Sequence, residues 1–221
     1  MKKKLFAAIA AFSMAFVMAF SMAACGGSGE AEPAEVEQKE ATEVAEDVYS
    51  TKTMAYFREY LVDGAYTMES KYDMDGLEVV SFVAVDGNQM YSRTTMDGME
   101  SILILLEDAQ YILDPASKLA IKMEIGADGG GLNMQEMFAE EEENYETAVS
   151  YGDMEVNGKN CFYEEFTVED SSVKYCFDGN DLKYILTEMD GIIYTMEIVH
   201  MEKGADADLF VLPDDYEVMA F

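Results

Sequence analysis

The sequence predicts a mainly β domain of the α+β class: a curved antiparallel meander sheet or half-open barrel, wrapped on an N-terminal helix. Three observations predict it. Asp-Gly pairs recur at 75–76, 86–87, 97–98, 178–179 and 190–191, with Asn157-Gly158 as a relative. These dipeptides tolerate the positive φ angles of the type I′ turns that join hairpin strands. The first three pairs repeat every eleven residues, which leaves about nine residues per strand. Between them the side chains alternate: Tyr66, Met68, Tyr72 and Met74 share one parity, Thr67, Glu69, Lys71 and Asp73 the other, the period of two of a strand with one buried face.

The elements follow in chain order. Lys2, Lys3 and Lys4 precede an apolar run from Leu5 to Phe20, and small residues lead to Cys25, the three parts of a secretory signal. The run borders on the ~17–20 residues that a spanning helix needs and lacks a polar stop-transfer flank, so cleavage is expected over spanning. Met22-Ala23-Ala24-Cys25 resembles the lipobox of bacterial lipoproteins, with Met where that family usually has Leu. The resemblance implies a signal peptide of residues 1–24, lipid on Cys25, and a protein held at the cell membrane on its extracytoplasmic side. An ordinary signal peptide with an incidental Cys is the alternative. Residues 26–47 lack aromatics and are rich in Glu, Ala and Gly, so 25–47 is expected to be a lipidated Cys followed by a disordered acidic stalk. Twenty-odd flexible residues reach roughly 25 Å.

The folded part is then 48–221. Val48 to Val62 sets Met54, Phe57, Leu61 and Val62 at helical spacing, with Asp47 as N-cap and Gly64 beyond the end, predicting a helix against the sheet. Strands are expected near 65–74, 77–85, 89–96, 100–107, 110–114, 119–125, 145–156, 159–168, 172–178, 182–189 and 192–203. Gly126 to Glu143 breaks the pattern with Asp128-Gly129-Gly130-Gly131 ahead of Met134, Met137 and Phe138, a loop with a short helix that could serve as a lid.

With its lipobox and acidic stalk, the N-terminal helix, the meander carrying Tyr111-Ile112-Leu113-Asp114 and Lys118, and the closing Phe210-Val211-Leu212-Pro213-Asp214-Asp215-Tyr216, the chain resembles lipoproteins with the LolA, LppX and LprG type of fold. That resemblance implies a strongly curved sheet whose apolar concavity holds lipid or acyl chains.

The residues themselves speak against an enzyme. There is no Gly-x-Ser-x-Gly elbow, His-Glu-x-x-His or Walker loop, and the sole histidine, His200, lies in a strand without an evident partner. Asp73-Met74-Asp75-Gly76 opens like a calcium loop but lacks the acidic residues that should follow. No metal or other cofactor is expected. The 14 basic and 45 acidic residues give a net charge of −31, and removal of residues 1–24 takes away three Lys and no acid. Such a surface repels a phosphate backbone, so nucleic acid is excluded as a partner. Cys161 and Cys176 lie on neighbouring predicted strands; they are either disulfide partners, as export would permit, or separate thiols.

Methionine is abundant, at 18 residues. It re-packs readily and suits either a cavity for flexible chains or an irregular core. On the concave face of the sheet, alternation places Tyr66, Met68, Tyr72, Val79, Val83, Phe162, Phe166, Tyr175, Tyr184, Tyr194 and Met196. The expected function is binding or carriage of a lipid or other hydrophobic ligand against that face. The alternative is a surface interaction or structural lipoprotein with a filled interior.

Overall fold

The computed structural model describes residues 36–38, 42–43, 51–61, 64–74, 76–125, 148–168, 171–189 and 191–220, all within one compact unit, Pro33–Phe221. The signal sequence, Cys25, Asp47 and the 126–143 loop lie outside these residues. In chain order the elements are β1 (Val36–Gln38), β2 (Thr42–Glu43), α1 (Lys52–Leu61), β3 (Ala65–Met74), β4 (Leu77–Asp86), β5 (Gln89–Met96), β6 (Met99–Leu105), β7 (Ala109–Asp114), β8 (Leu119–Glu124), β9 (Ser150–Val156), β10 (Lys159–Val168), β11 (Ser171–Asp178), β12 (Asp181–Met189), β13 (Ile192–Lys203), a 3-10 turn at Ala207–Phe210, and β14 (Glu217–Ala220).

All fourteen strands join one sheet in the order β1-β9-β10-β11-β12-β13-β3-β4-β5-β6-β7-β8-β14, with β2 also on β9. Two meanders, β3–β8 and β9–β13, are fused where β13 pairs antiparallel with β3. The end strands do not meet, so the sheet is half-open and no closed barrel forms. The turns behave as their composition demands: Asp97 and Gly98 have φ of 49° and 75°, Asn157 and Gly158 of 52° and 74°, the paired positive angles of type I′. Asp73 stabilises the first hairpin by accepting a bond from Gly76 N at 2.8 Å, so the residues that open like a calcium loop serve a turn.

Four elements depart from expectation. The helix begins at Lys52 rather than 48, and its first turn is capped by Thr51, whose Oγ1 accepts Met54 N at 3.1 Å. Inside the segment expected to be a stalk, β1 and β2 pair with β9 and cover what would otherwise be an open sheet edge. At the other edge, β14 lies parallel to β8.

The register sorts the side chains, because directly paired residues share a face. One face carries α1. The chain enters the helix over Glu164 of β10, which is fully buried; its carboxylate accepts Lys52 N, Thr53 N and Thr53 Oγ1, each at 2.7 Å. An anion at a helix N-terminus meets donors that the helix cannot satisfy itself, and here it also fixes α1 to the sheet. Tyr56 and Phe57 then pack edge-on against Phe177 and Tyr175, and Lys203 reaches Glu59 at 3.7 Å.

The opposite face of β4–β8 is covered by the C-terminal segment. Phe210 enters a cluster with Ala84, Tyr91, Ile104, Leu113 and Ala120, and Leu209, Leu212 and Tyr216 pack around it. Lys118 closes this strap: its ammonium lies 3.1 Å from Asp215 and 4.7 Å from the Tyr216 ring centre, and its carbonyl accepts Glu217 N at 2.8 Å. The Lys118 and Asp215-Tyr216 residues noted in the sequence thus form a structural clasp.

Candidate ligand-binding face

Ten of the eleven residues expected to line the concavity share the helix-bearing face. Tyr66 and Met68 pair with Val85 and Val83, and Tyr72 pairs with Val79. Met196 sits opposite both Tyr72 and Ile185, Ile185 opposite Tyr175, and Phe162 and Phe166 opposite Phe177 and Val173. Tyr194 follows two residues before Met196 on the same strand. Tyr184 does not belong. It pairs with Cys176, which pairs with Tyr163, and all three enter a cluster on the opposite face with Met154, Val156, Cys161 and Leu186. Tyr184, Leu186 and Ile185 make both parities of β12 apolar, so alternation alone could not orient that strand.

The ten differ in burial. Tyr66, Phe166 and Val79 are essentially inaccessible, whereas Tyr194 is 48% exposed. Phe166 stacks edge-on with Tyr175, and Tyr175 is itself under Phe57 of the helix, so this end of the face is packed by protein. Burial pushes the Tyr72 hydroxyl up to about 12 and Tyr66 far above the ordinary phenol range; both remain neutral at any physiological pH.

Methionine distinguishes the two faces. Of the twelve described methionines, Met54 is on α1 and Met154 on the opposite face; the other ten project from the helix-bearing face. Apart from Met154, the opposite face is built from aromatic, branched aliphatic, Ala and Cys side chains, which have fewer rotatable bonds than methionine or stiffer ones. Thioether chains adapt to irregular or changing neighbours.

Cys161 and Cys176 are buried free thiols. Cys161 Sγ lies 3.6 Å from the Met154 carbonyl and Cys176 Sγ 3.6 Å from Met154 Sδ. Each thiol is the main influence on the other, lowering the Cys161 pKa and raising that of Cys176. His200 sits beside a register shift in β13, with Nε2 3.2 Å from Glu202 Oε2 and most of its side chain in solvent. Among the described residues no group of three His, Cys, Asp or Glu is placed to hold a metal ion.

No family model and no curated protein matches the chain. Solved structures that resemble it include an uncharacterized conserved protein from Thermus thermophilus, at 7% identity and a TM-score of 0.49, covering 76% of this chain and 96% of that one. Another is MucB in the MucA/MucB complex of Pseudomonas aeruginosa, at 9% identity and a TM-score of 0.41, covering 76% of this chain and 61% of that one. A separate structure of MucB gives 11% identity and a TM-score of 0.40, covering 73% of this chain and 62% of that one. Identities this low leave the function to be read from this chain's own residues.

Proposed function

We propose that the protein is a lipid-anchored, extracytoplasmic binding protein that carries or senses a lipid or other hydrophobic ligand on the helix-bearing face of its sheet. It acts by binding, without covalent chemistry. The observation that supports this most is the segregation of ten methionines to that face. A face evolved only to be packed has no need of adaptable side chains, since rotamer-defined residues give a better ordered interior. A face that accepts flexible acyl chains does. The lipobox supports the anchor, with Cys25 as the lipidated residue.

The experiment is native mass spectrometry of the protein extracted gently from bacterial membranes. Wild type is expected to carry an apolar adduct, and Tyr72→Glu to lose it while keeping its circular-dichroism spectrum. Tyr184→Phe, on the opposite face, is expected to keep it. Protein that comes off empty, or Tyr72→Glu with the adduct retained, would leave the structural or interaction lipoprotein as the better reading. In a parallel arm Cys25→Ser should leave the membrane fraction or stall in processing; full retention after a high-salt wash would remove the anchor.

A further inference from the structure

Three sulfur-bearing side chains meet on the face opposite the helix. Cys161 of β10 is directly paired with Met154 of β9. Cys176 of β11 is paired with Tyr163 and so lies diagonally from Cys161 across the β10/β11 ladder. Cys176 Sγ is 3.6 Å from Met154 Sδ, and Cys161 Sγ is 3.6 Å from the carbonyl oxygen of the same methionine. All three side chains are buried, at 5% exposure for Cys161, 0% for Cys176 and 1% for Met154, among Val156, Tyr163, Tyr184 and Leu186. Two thiols are too few for a metal site on their own; strand pairing adds the third sulfur.

The spacing decides what these sulfurs can do. Diagonal neighbours across an antiparallel ladder have Cα atoms ~7–8 Å apart, beyond the ~4.4–6.8 Å that a disulfide spans, so direct bonding would need the backbone to move. Sulfurs that share one metal ion stand farther apart than bonded ones: each at ~2.3 Å from the ion, they lie ~3.8–4.0 Å from one another, close to the 3.6 Å between Cys176 and Met154. Core packing accounts for the cysteines as small apolar residues. It gives no reason for the one described methionine of this face to stand beside both of them.

We propose that Cys161, Cys176 and Met154 form a three-sulfur site for a soft monovalent metal ion, copper(I). The donor set selects the ion. Thiolate and thioether sulfur prefer soft ions, whereas calcium and magnesium take oxygen. Zinc asks for four ligands, and among the described residues no His, Asp or Glu stands with the two cysteines to make up the number. On binding, each thiol gives its proton to solvent, and no electron is transferred. Two thiolates, one monovalent cation and a neutral thioether then leave a single negative charge in the cluster. The site is on the other side of the sheet from the helix-bearing face, so it stands independently of the ligand reading.

The test titrates the full chain carrying Cys25→Ser, whose thiols are then Cys161 and Cys176 alone, with copper(I) held by a chromogenic chelator under anaerobic, reducing conditions. One equivalent is expected to move to the protein, and X-ray absorption to show three sulfur neighbours at ~2.3 Å. Cys161→Ser and Cys176→Ser should each weaken binding at least a hundredfold. Met154→Leu nearly conserves volume and apolarity, so its thermal melt is expected to show an intact fold while its copper(I) affinity falls at least tenfold. A methionine that only fills space would leave affinity unchanged, and that result overturns the proposal. So would zinc(II) bound as tightly as copper(I), or cysteine variants that still take up copper(I). Protein isolated with Cys161 and Cys176 already bonded, two hydrogens lighter than the reduced chain, would overturn it as well.

Discussion

Two adjacent carboxylates on β10 show how much the surroundings of one residue decide. Glu164 faces the helix and is consumed in holding it. Glu165 points the other way, accepting the Ser150 and Ser172 hydroxyls at 2.5 Å each, with the Lys174 ammonium 3.9 Å away. Burial alone pushes the Glu165 carboxyl up, but the two hydroxyls and the ammonium together outweigh it and hold the pKa below the usual carboxylate value. A carboxyl whose folded-state pKa is depressed contributes stability above its unfolded value of ~4.3, and that contribution is lost as pH falls through the folded value. Glu165→Gln is therefore expected to cost about 1 kcal/mol near neutral pH, with the gap to wild type closing below pH ~4. Urea titrations at pH 7 and pH 3 check this. A gap of the same size at both would assign the loss to shape, not charge.

At the scale of elements, the turn chemistry was the most legible feature. The hairpins β3/β4, β4/β5, β5/β6, β9/β10, β11/β12 and β12/β13 turn where the Asp-Gly and Asn-Gly pairs put them, because those dipeptides favour chain reversal whatever the flanking strands contain. Gly98 is the cleanest case. At φ of 75°, with nothing within 4 Å of an added Cβ, Gly98→Ala meets only backbone strain and should lower stability by about 1–2 kcal/mol. A thermal melt checks it, and no change would mean the hairpin can adopt another turn. The short β1, β2 and β14 were not legible: two to four residues each, they are strands by virtue of the edges they meet, not of their own pattern. Tyr184 was misplaced because both parities of β12 are apolar. Glu164 was not legible either: it is one of 45 acidic residues, distinguished from the others only by the helix that lands on it.

The whole molecule depends on one seam. On the face opposite the helix there are two separate clusters, one over β9–β13 and the other over β4–β8 under the C-terminal strap. Neither reaches across β13 and β3, whose paired residues are distant in the chain: Met196 with Tyr72, Ile198 with Ser70, Met201 with Met68. What joins the halves is therefore the ladder between β13 and β3 and the apolar side chains it aligns under the helix-bearing face. Ile198, 4% exposed, lies in the middle of that ladder beside its register shift. Its truncation to Ala removes buried methyls that neighbours cannot easily replace and is expected to cost about 2–4 kcal/mol. If the seam couples the halves, the loss is global: unfolding stays a single transition, and hydrogen-exchange protection falls by the same factor in β4–β6 as in β10–β12. If protection falls in only one half, or the Ile198→Ala protein unfolds in two steps, each meander is a stable unit alone and the seam is only a junction between them.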